Sequence, residues 1–494
     1  MSFLSDLIFE AGVATRSLSD YLTGTGLRLG VTGLSRAGKT VFITALVQNL
    51  TRAAAASAEG KRALPVFRVH AEGRLSRARL EPQPDDAVPR FAYEEHLASL
   101  TGDSRVWPES TRRISELRVT LEFERKAGWR TGPSELTLDI VDYPGEWLLD
   151  LPLLSKSYAQ WSRDMLEASA AAARAPLAAA WRGATLPIAA DMRADEEVAR
   201  KLSTLYTEYL RASRADAYAL STLPPGRFLM PGDLEGSPAL TFAPLPPPEG
   251  DTPAASGSLF AMMERRYEAY KSVVVKPFFR DHFARLDRQI VLVDALSALN
   301  SGPAAVRDLE TALSEVLTAF RAGRSGLLST LFRPKIDRIL FAATKADHLH
   351  HTSHDRLEAI LRLLTARAIS RAEDLGARID VIAMAAVRAT REASVWDRGA
   401  EVEAIVGTPL AGEMIGDETF DGMAEAAVFP GELPADPKVA LRGDALATPA
   451  AEADMRFVRF RPPVPILGKD GVPLPLPSIR LDRALEFLLG DRLQ

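Results

Sequence analysis

Three stretches of this chain predict an α/β fold built on a mostly parallel sheet. An alternating apolar run turns into a helical pattern over residues 27–50, and a hydrophobic strand closes on an acid at 136–142. A further apolar strand closes on Thr344-Lys345-Ala346-Asp347. Each places a polar loop at the C-terminal end of a strand, which is where open α/β sheets build their binding sites.

The first stretch, LRLGVTGLSRAGKTVFITALVQNL, passes from strand to helix through GLSRAGKT at 33–40. This is G-x-x-x-x-G-K-[ST], the phosphate-binding P-loop, in its required context of strand, loop and helix start. Gly33 and Gly38 let the backbone wrap closely around phosphate oxygens, and the peptide N–H groups and helix dipole face the anion. The expected contacts are Ser35, Arg36, Ala37, Gly38, Lys39, Thr40 and Val41, with Lys39 on the β- and γ-phosphates and the Thr40 hydroxyl on Mg²⁺.

A P-loop accepts ATP and GTP alike, so the other two stretches must choose. In LTLDIVDYPGEWLLDL the strand ends at Asp142, placed to hold Mg²⁺ through water. Gly145 follows at the D-x-x-G spacing, where a glycine N–H contacts the γ-phosphate. In IDRILFAATKADH the tetrad Thr344-Lys345-Ala346-Asp347 has the form [NT]-K-x-D. An aspartate there accepts hydrogen bonds from guanine N1 and N2 while the lysine stem lies along the base. Adenine offers no such donor pair, and a site built on buried hydrogen bonds rejects the wrong partner by about 10⁴ or more. One strand later Ala385-Ala386-Val387 occupies the position of a short loop against guanine O6. GTP and GDP are thus the expected ligands, with Mg²⁺; an ATPase remains the alternative if Asp347 does not reach the base.

Four of the seven histidines, His348, His350, His351 and His354, directly follow the tetrad. His348 is grouped with the nucleotide site. The others read as a loop and helix start near Thr352-Ser353 with Asp355 in the first turn. A metal box is the alternative, but the sequence offers no cysteine and no obvious second acidic cluster to complete it.

The motifs together resemble the bacterial YcjX-like P-loop GTPases. The likeness rests on GLSRAGKT at 33–40, WPEST at 107–111, DYPGEWLLDLPLL at 142–154, RFLMPGDLEGSPALTFAPL at 227–245 and VLVDALSALNSG at 291–302. It continues through TKADHLHHTSHDRL at 344–357, AAVRATRE at 385–392 and SIRLDRALEFLLGDRL at 478–493. It implies a stress-associated nucleotide-binding protein and a switch I threonine, Thr111, with Ser110 the neighbouring alternative. On that reading Thr40, Thr111 and Asp142 hold Mg²⁺, and Lys39, Thr111, Gly145 and Glu146 form the catalytic set. Ras-like GTPases often carry a water-orienting Gln where this chain has Glu146. A carboxylate there can position water but is repelled by the γ-phosphate unless Mg²⁺ or an arginine offsets it. Arg36, Arg112 and Arg113 are candidates, though solvated surface arginines are the plainer reading. Slow intrinsic hydrolysis is expected, and a nucleotide-gated scaffold with negligible turnover is the second reading.

A minimal GTPase needs about 20 residues between the D-x-x-G turn and the next strand, whereas here that strand begins about 140 residues on. The expected organisation is a P-loop GTPase domain at 24–149 and 286–392, an inserted mainly helical domain of about three helices at 150–285, and a C-terminal α+β extension at 393–494 packed on the GTPase domain. An insert attached directly behind Gly145 and Trp147 would feel loss of the γ-phosphate; a passive appendage is the alternative.

The formal net charge of -5 argues against a protein that grips nucleic acid backbone, and the basic run at 73–80 is flanked by acids. Absence of cysteine fits a reducing compartment and removes thiolate chemistry. No apolar run approaches the roughly 20 residues of a membrane span, and Asp6 and Glu10 interrupt what would be a signal peptide. Phe3, Leu4, Leu7 and Ile8 share a helical face expected to dock on the protein's own body. The expected location is cytoplasmic, with a peripheral place at the inner membrane as the alternative. The expected partner is a protein effector that the sequence does not identify, a membrane protein being one option.

Overall fold

A computed structural model describes residues 26–33, 37–60, 63–83, 85–109, 113–126, 132–189, 191–215, 218–248, 254–319, 336–366, 369–370, 376–397, 400–415, 417–442 and 457–494. The N-terminal face of Phe3, Leu4, Leu7 and Ile8 lies outside them, as do Ser35, Arg36, Ser110, Thr111 and Arg112.

Seven strands form the central sheet: β1 (Gly26–Gly33), β2 (Leu75–Glu81), β3 (Ser115–Arg125), β4 (Gly132–Asp142), β5 (Arg288–Val293), β6 (Arg338–Ala343) and β7 (Arg378–Ala383). Their order is β2-β3-β4-β1-β5-β6-β7. β1 runs parallel to β4 and β5, and β5, β6 and β7 continue the parallel set. β3 runs antiparallel to both its neighbours, β2 and β4, and so against the direction of the other six strands. The mostly parallel sheet expected from the sequence is present.

Register lines up the strand ends. Val31 pairs with Asp142, Gly33 with Leu292, Val293 with Ala343, and Ala343 with Ala383. Ser115 pairs with Asp142 from the opposite direction, so β3 begins at the same edge. The loops after β1, β4, β5, β6 and β7 therefore leave from one side of the sheet, together with the segment that leads into β3.

Alternation along the strands divides the core into two layers. Leu27, Leu29 and Val31 of β1, Leu138 and Ile140 of β4, and Ile290 and Leu292 of β5 face one apolar cluster. There they meet α1 (Lys39–Ala58), α2 (Tyr93–Thr101) and the closing helix α12 (Leu481–Leu489). Val141, Val291, Val293, Phe341 and Val381 face the other. That second cluster extends without a break into the segment between β4 and β5.

This inserted segment contains α3 (Tyr158–Ala168), α4 (Ala175–Thr185), α5 (Glu196–Arg214), α6 (Leu259–Tyr270) and α7 (Lys276–Asp281). It is richer in helices than the sequence pattern suggests, because the alanine-rich run splits before Arg174. Pro176 opens α4 where its missing N–H costs nothing. The buried Arg174 guanidinium donates to the Tyr209 hydroxyl and the Thr222 carbonyl, each at 3.0 Å. Trp161 stacks on Tyr267 and Trp181 on Tyr209, with ring centroids 5.2 and 5.5 Å apart. These rings share one apolar cluster with the sheet face, so the insert and the sheet have a common core.

Helices α8 (Ala295–Asn300), α9 (Pro303–Ala319) and α10 (His354–Leu364) cover the rest of that face. Beyond β7, strands β8 (Arg391–Asp397), β9 (Ala400–Gly407) and β12 (Ala426–Val428) form a small antiparallel sheet, and β10 (Met414–Ile415) pairs with β11 (Glu418–Thr419). Helix α11 (Pro437–Arg442) packs against α9 and α10. The closing helix covers a face of the main sheet rather than its edge. Asn49 of α1 holds the strand-like chain leading to it, donating to the Leu476 carbonyl at 3.1 Å and accepting from the Leu476 N–H at 2.7 Å.

At the far end of α12, Arg288 is fully buried. It reaches Asp491 at 2.6 Å and Asp337 at 3.1 Å, and also donates to the carbonyl of Leu488. Arg288→Ala deletes a buried side chain, takes the cation from Asp337 and leaves Asp491 with Arg338 alone, at 3.0 Å. We expect a loss of about 3 kcal/mol or more in unfolding free energy, measured by urea denaturation. A variant within about 0.5 kcal/mol of the parent would show that this cluster does not hold α12.

Candidate functional site

β1 closes on Gly33, and α1 begins six residues later at Lys39. Gly38 has φ +79°, a left-handed conformation that glycine adopts without strain. A side-chain carbon built on Gly38 would meet nothing within 4 Å, so that position faces open space. Lys39, Thr40 and Val41 form the first turn of α1. The Thr40 hydroxyl is buried and donates to the Glu109 carbonyl at 3.2 Å. Glu109 stands two residues before Thr111. Asp142 is buried at the end of β4, beside Val31 in register. The Thr40 hydroxyl and the Asp142 carboxylate both offer oxygen, the donor type that suits Mg²⁺, a hard cation that keeps several waters and takes few protein ligands.

Gly145 makes the tightest approach in the site. A β-carbon there would lie 1.8 Å from the Gly33 carbonyl oxygen, so the turn after β4 lies backbone to backbone against the end of β1. From Gly145 the chain enters a 3-10 helix, Gly145–Ser155, which the insert holds side chain by side chain. Glu146 Oε1 pairs with Arg214 Nη2 at 2.7 Å. The Arg227 guanidinium sits 3.2 Å from the centre of a Trp147 ring, and Trp147 Nε1 donates to the Met230 carbonyl at 3.0 Å. Asp150 accepts from the Gly226 N–H at 2.7 Å and from the Tyr270 hydroxyl at 2.6 Å. Gly226 is as constrained as Gly145, since its β-carbon would lie 1.9 Å from the Glu146 carbonyl oxygen.

Glu146 therefore differs from the water-positioning carboxylate the motif suggests. In this structure it is buried against the last residue of α5 and lines a small cavity with Leu149, Leu220, Leu223 and Leu229. A carboxylate withdrawn from water needs a cation, and Arg214 supplies it.

At the end of β6, the Thr344 N–H donates to the Val293 carbonyl at 2.9 Å, fixing the start of the tetrad. Lys345 takes φ +62° and its Nζ lies 2.5 Å from Asp294 Oδ2, while Asp294 Oδ1 caps α8 by accepting from the Ser297 N–H. Buried Asp347 accepts from the Ala389 N–H at 2.9 Å through Oδ2, and its carbonyl accepts from the Thr390 hydroxyl at 2.5 Å. One N–H on one oxygen fixes the carboxylate's orientation without exhausting it, because a carboxylate has about four acceptor positions. Ala385 exchanges both backbone hydrogen bonds with Ile479, so its N–H is already engaged. His348 is half-buried and lies edge-on to Phe460 at 5.7 Å, and burial lowers its pKa.

The histidine stretch forms a loop and helix start, with α10 beginning at His354 and Asp355 in its first turn. His354 is buried, with Nε2 2.8 Å from the Ala346 carbonyl oxygen. His350 and His351 instead meet Glu392 and Glu403, carboxylates that arrive from β8 and β9. Sequence reasoning passed over these two acids, and also Asp294, Ala389, Thr390 and Arg214. Of these, Asp294 left a visible signal: an acid directly after an apolar strand.

With that geometry in view, the family model described as "YcjX-like family, DUF463" matches residues 27–493. "Ras-like GTPase YcjX" of Escherichia coli is 40% identical over 476 residues, covering 95% of this chain and 96% of its own length. "Ras-like GTPase YcjX" of Shewanella oneidensis is 35% identical over 507 residues and covers both chains completely.

The buried acid in the 3-10 helix after Gly145 carries a pH signature. Burial pushes Asp150 up to about 6 from its ordinary 3.8, against the opposing hydrogen bonds from Tyr270 and Gly226. The folded protein thus holds a proton that the unfolded chain has released between about pH 4 and pH 6. This contribution is complete below pH 4 and is lost as pH rises through 6, worth about 3 kcal/mol in all. Asp150→Asn removes the titration. Relative to the variant, the parent should lose stability across that window in chemical denaturation. Parallel profiles would show that Asp150 does not titrate there.

Proposed function

This chain belongs to the YcjX-like family, and on that premise we propose that it binds GTP and hydrolyses it slowly with Mg²⁺, the helical insert reporting the nucleotide state. The observation that carries the guanine assignment is Asp347, held in one orientation by the Ala389 N–H at the end of β6. It stands on the sheet edge that also carries Gly33 and Asp142. Lys345, pinned to Asp294, presents its stem along the base.

In this reading the N–H groups of residues 35–41 and the Lys39 ammonium hold the phosphates. Thr40, Thr111 and Asp142 hold Mg²⁺, which supplies charge neutralisation on the β- and γ-phosphates. The Gly145 N–H senses the γ-phosphate. Glu146 is the residue at the catalytic position, and its ion pair with Arg214 favours turnover near the bottom of the range for GTPases that await an activating partner, on the order of 10⁻³ s⁻¹ or below. The same pair favours the second reading, a nucleotide-gated scaffold with negligible hydrolysis.

Coupling follows from what the 3-10 helix touches. A charge-assisted bond from Gly145 to a γ-phosphate is worth about 1.5–3 kcal/mol, enough to shift a balanced equilibrium by about tenfold or more. Any displacement of Gly145 moves Glu146, Trp147 and Asp150, whose partners are all in the insert. The proposed setting is a cytoplasmic switch, peripheral to the inner membrane if its effector is a membrane protein, and related to stress. Among the described residues no helix is long and apolar enough to cross a membrane.

Two measurements test this. Asp347→Asn should cost GTP affinity by several kcal/mol and make xanthosine triphosphate the better ligand, because an amide accepts at one atom only. Equal ATP and GTP affinity in the parent protein would reject the guanine assignment. Hydrogen exchange across 145–165 and 210–230 should differ between a GTP analogue and GDP, and Arg214→Ala should shrink the difference at 210–230. Identical exchange in both nucleotide states would make the insert a passive appendage.

A further inference from the structure

We propose that His350, His351 and Glu392 form a binding site for a late first-row divalent cation of the Zn²⁺ class, with Glu403 orienting His350. One ligand atom from each of the three lies within 4.8 Å of the other two. His351 Nδ1 is 2.9 Å and His350 Nε2 4.0 Å from Glu392 Oε2. Ligands bound tetrahedrally at zinc distances stand about 3.4 Å apart, so small side-chain rotations close the site.

The arrangement has the supporting partners that metal sites require. A metal-bound histidine usually gives its other ring N–H to a carboxylate, which fixes the tautomer and the ring plane. His350 Nδ1 lies 2.7 Å from Glu403 Oε2, which leaves Nε2 with its lone pair toward Glu392. The Thr352 hydroxyl donates to the same Glu403 oxygen at 3.0 Å. Glu392 Oε1 is held by Arg388 Nη2 at 3.2 Å, which leaves Oε2 for the cation. Two histidines and one carboxylate, with water completing the shell, suit Zn²⁺, Co²⁺ or Ni²⁺ better than Mg²⁺.

Strand register supplies an independent argument. Glu392 pairs with Ile405 and Ser394 with Glu403, so Glu392 and Glu403 are diagonal neighbours on one face of the β8–β9 pair. Like charges so placed weaken a sheet unless something offsets them. Two imidazoles from the loop after Asp347 face this pair, and a cation among them ties the β8–β9 sheet to the base end of the site. Three residues before Glu392, the Ala389 N–H holds the Asp347 carboxylate.

The test uses the full chain without an added histidine tag, in excess Mg²⁺ to occupy oxygen sites, titrated with Zn²⁺ in a calorimeter. One equivalent should bind. Glu392→Gln and the double variant His350→Ala/His351→Ala should each weaken it at least tenfold, and Glu403→Gln should weaken it about 10–100-fold at unchanged stoichiometry. Co²⁺ should give visible absorption bands that disappear in the histidine double variant. Absence of a Zn²⁺ equivalent in the parent, or equal affinity in the parent and both ligand variants, would overturn the proposal.

Discussion

The structure around the site depends on two backbones meeting with no side chain between them. Gly145 lies against the Gly33 carbonyl, and a β-carbon would close that gap to 1.8 Å. Register alone sets the ends of β1 and β4 side by side, but the turn after β4 must then cross the end of β1 at contact distance. Only glycine permits the crossing. Once made, it brings the γ-phosphate sensor of the proposed site onto the phosphate loop and points the departing chain into the insert.

From that contact outward, the 3-10 helix has unusually little freedom. Gly226 repeats the same constraint from the other side, its α-carbon against the Glu146 carbonyl. Between the two glycines lie a carboxylate on an arginine, an indole under a guanidinium, and a buried acid bonded to a tyrosine. Each is a directional contact in a low-dielectric setting, where losing one partner costs more than the pair is worth. A segment held this way moves as a unit or not at all. That suits a two-state element better than a loop that orders and disorders.

The sheet was legible because its signals are local and periodic. Alternation in LRLGVT and LTLDIV and the continuous apolar runs VLV and ILFAA marked the strands, and a glycine, an acid or the tetrad at 344–347 marked the turns. The strand-end residues Gly33, Asp142 and Thr344 were legible for the same reason. The supporting contacts were not, because their partners are distant in sequence: Arg214 lies 68 positions from Glu146, and Ala389 42 positions from Asp347. Glu146 illustrates the limit. Its place in the motif suggested chemistry at a phosphate, while the fold provides a cation on the insert side. The acids that meet His350 and His351 escaped notice likewise, since only the β8–β9 pairing brings Glu392 and Glu403 onto one face.

Those separations also explain how the insert can be large without being independent. A helical segment of this size could have closed its own core, yet its aromatic rings continue into Val141, Val291 and Phe341 of the sheet. A shared core makes the 3-10 helix after Gly145 an interior layer, with the sheet on one side and α5 and α6 on the other. Packing at interior density transmits displacement, and the small cavity beside Glu146 is bridged by its ion pair with Arg214. Under the proposed function, the energy available at Gly145 is that of about one charge-assisted hydrogen bond. A device driven by so small a term has to be stiff between input and output. The buried pairs of Glu146, Trp147 and Asp150 supply that stiffness where the chain leaves the phosphate site.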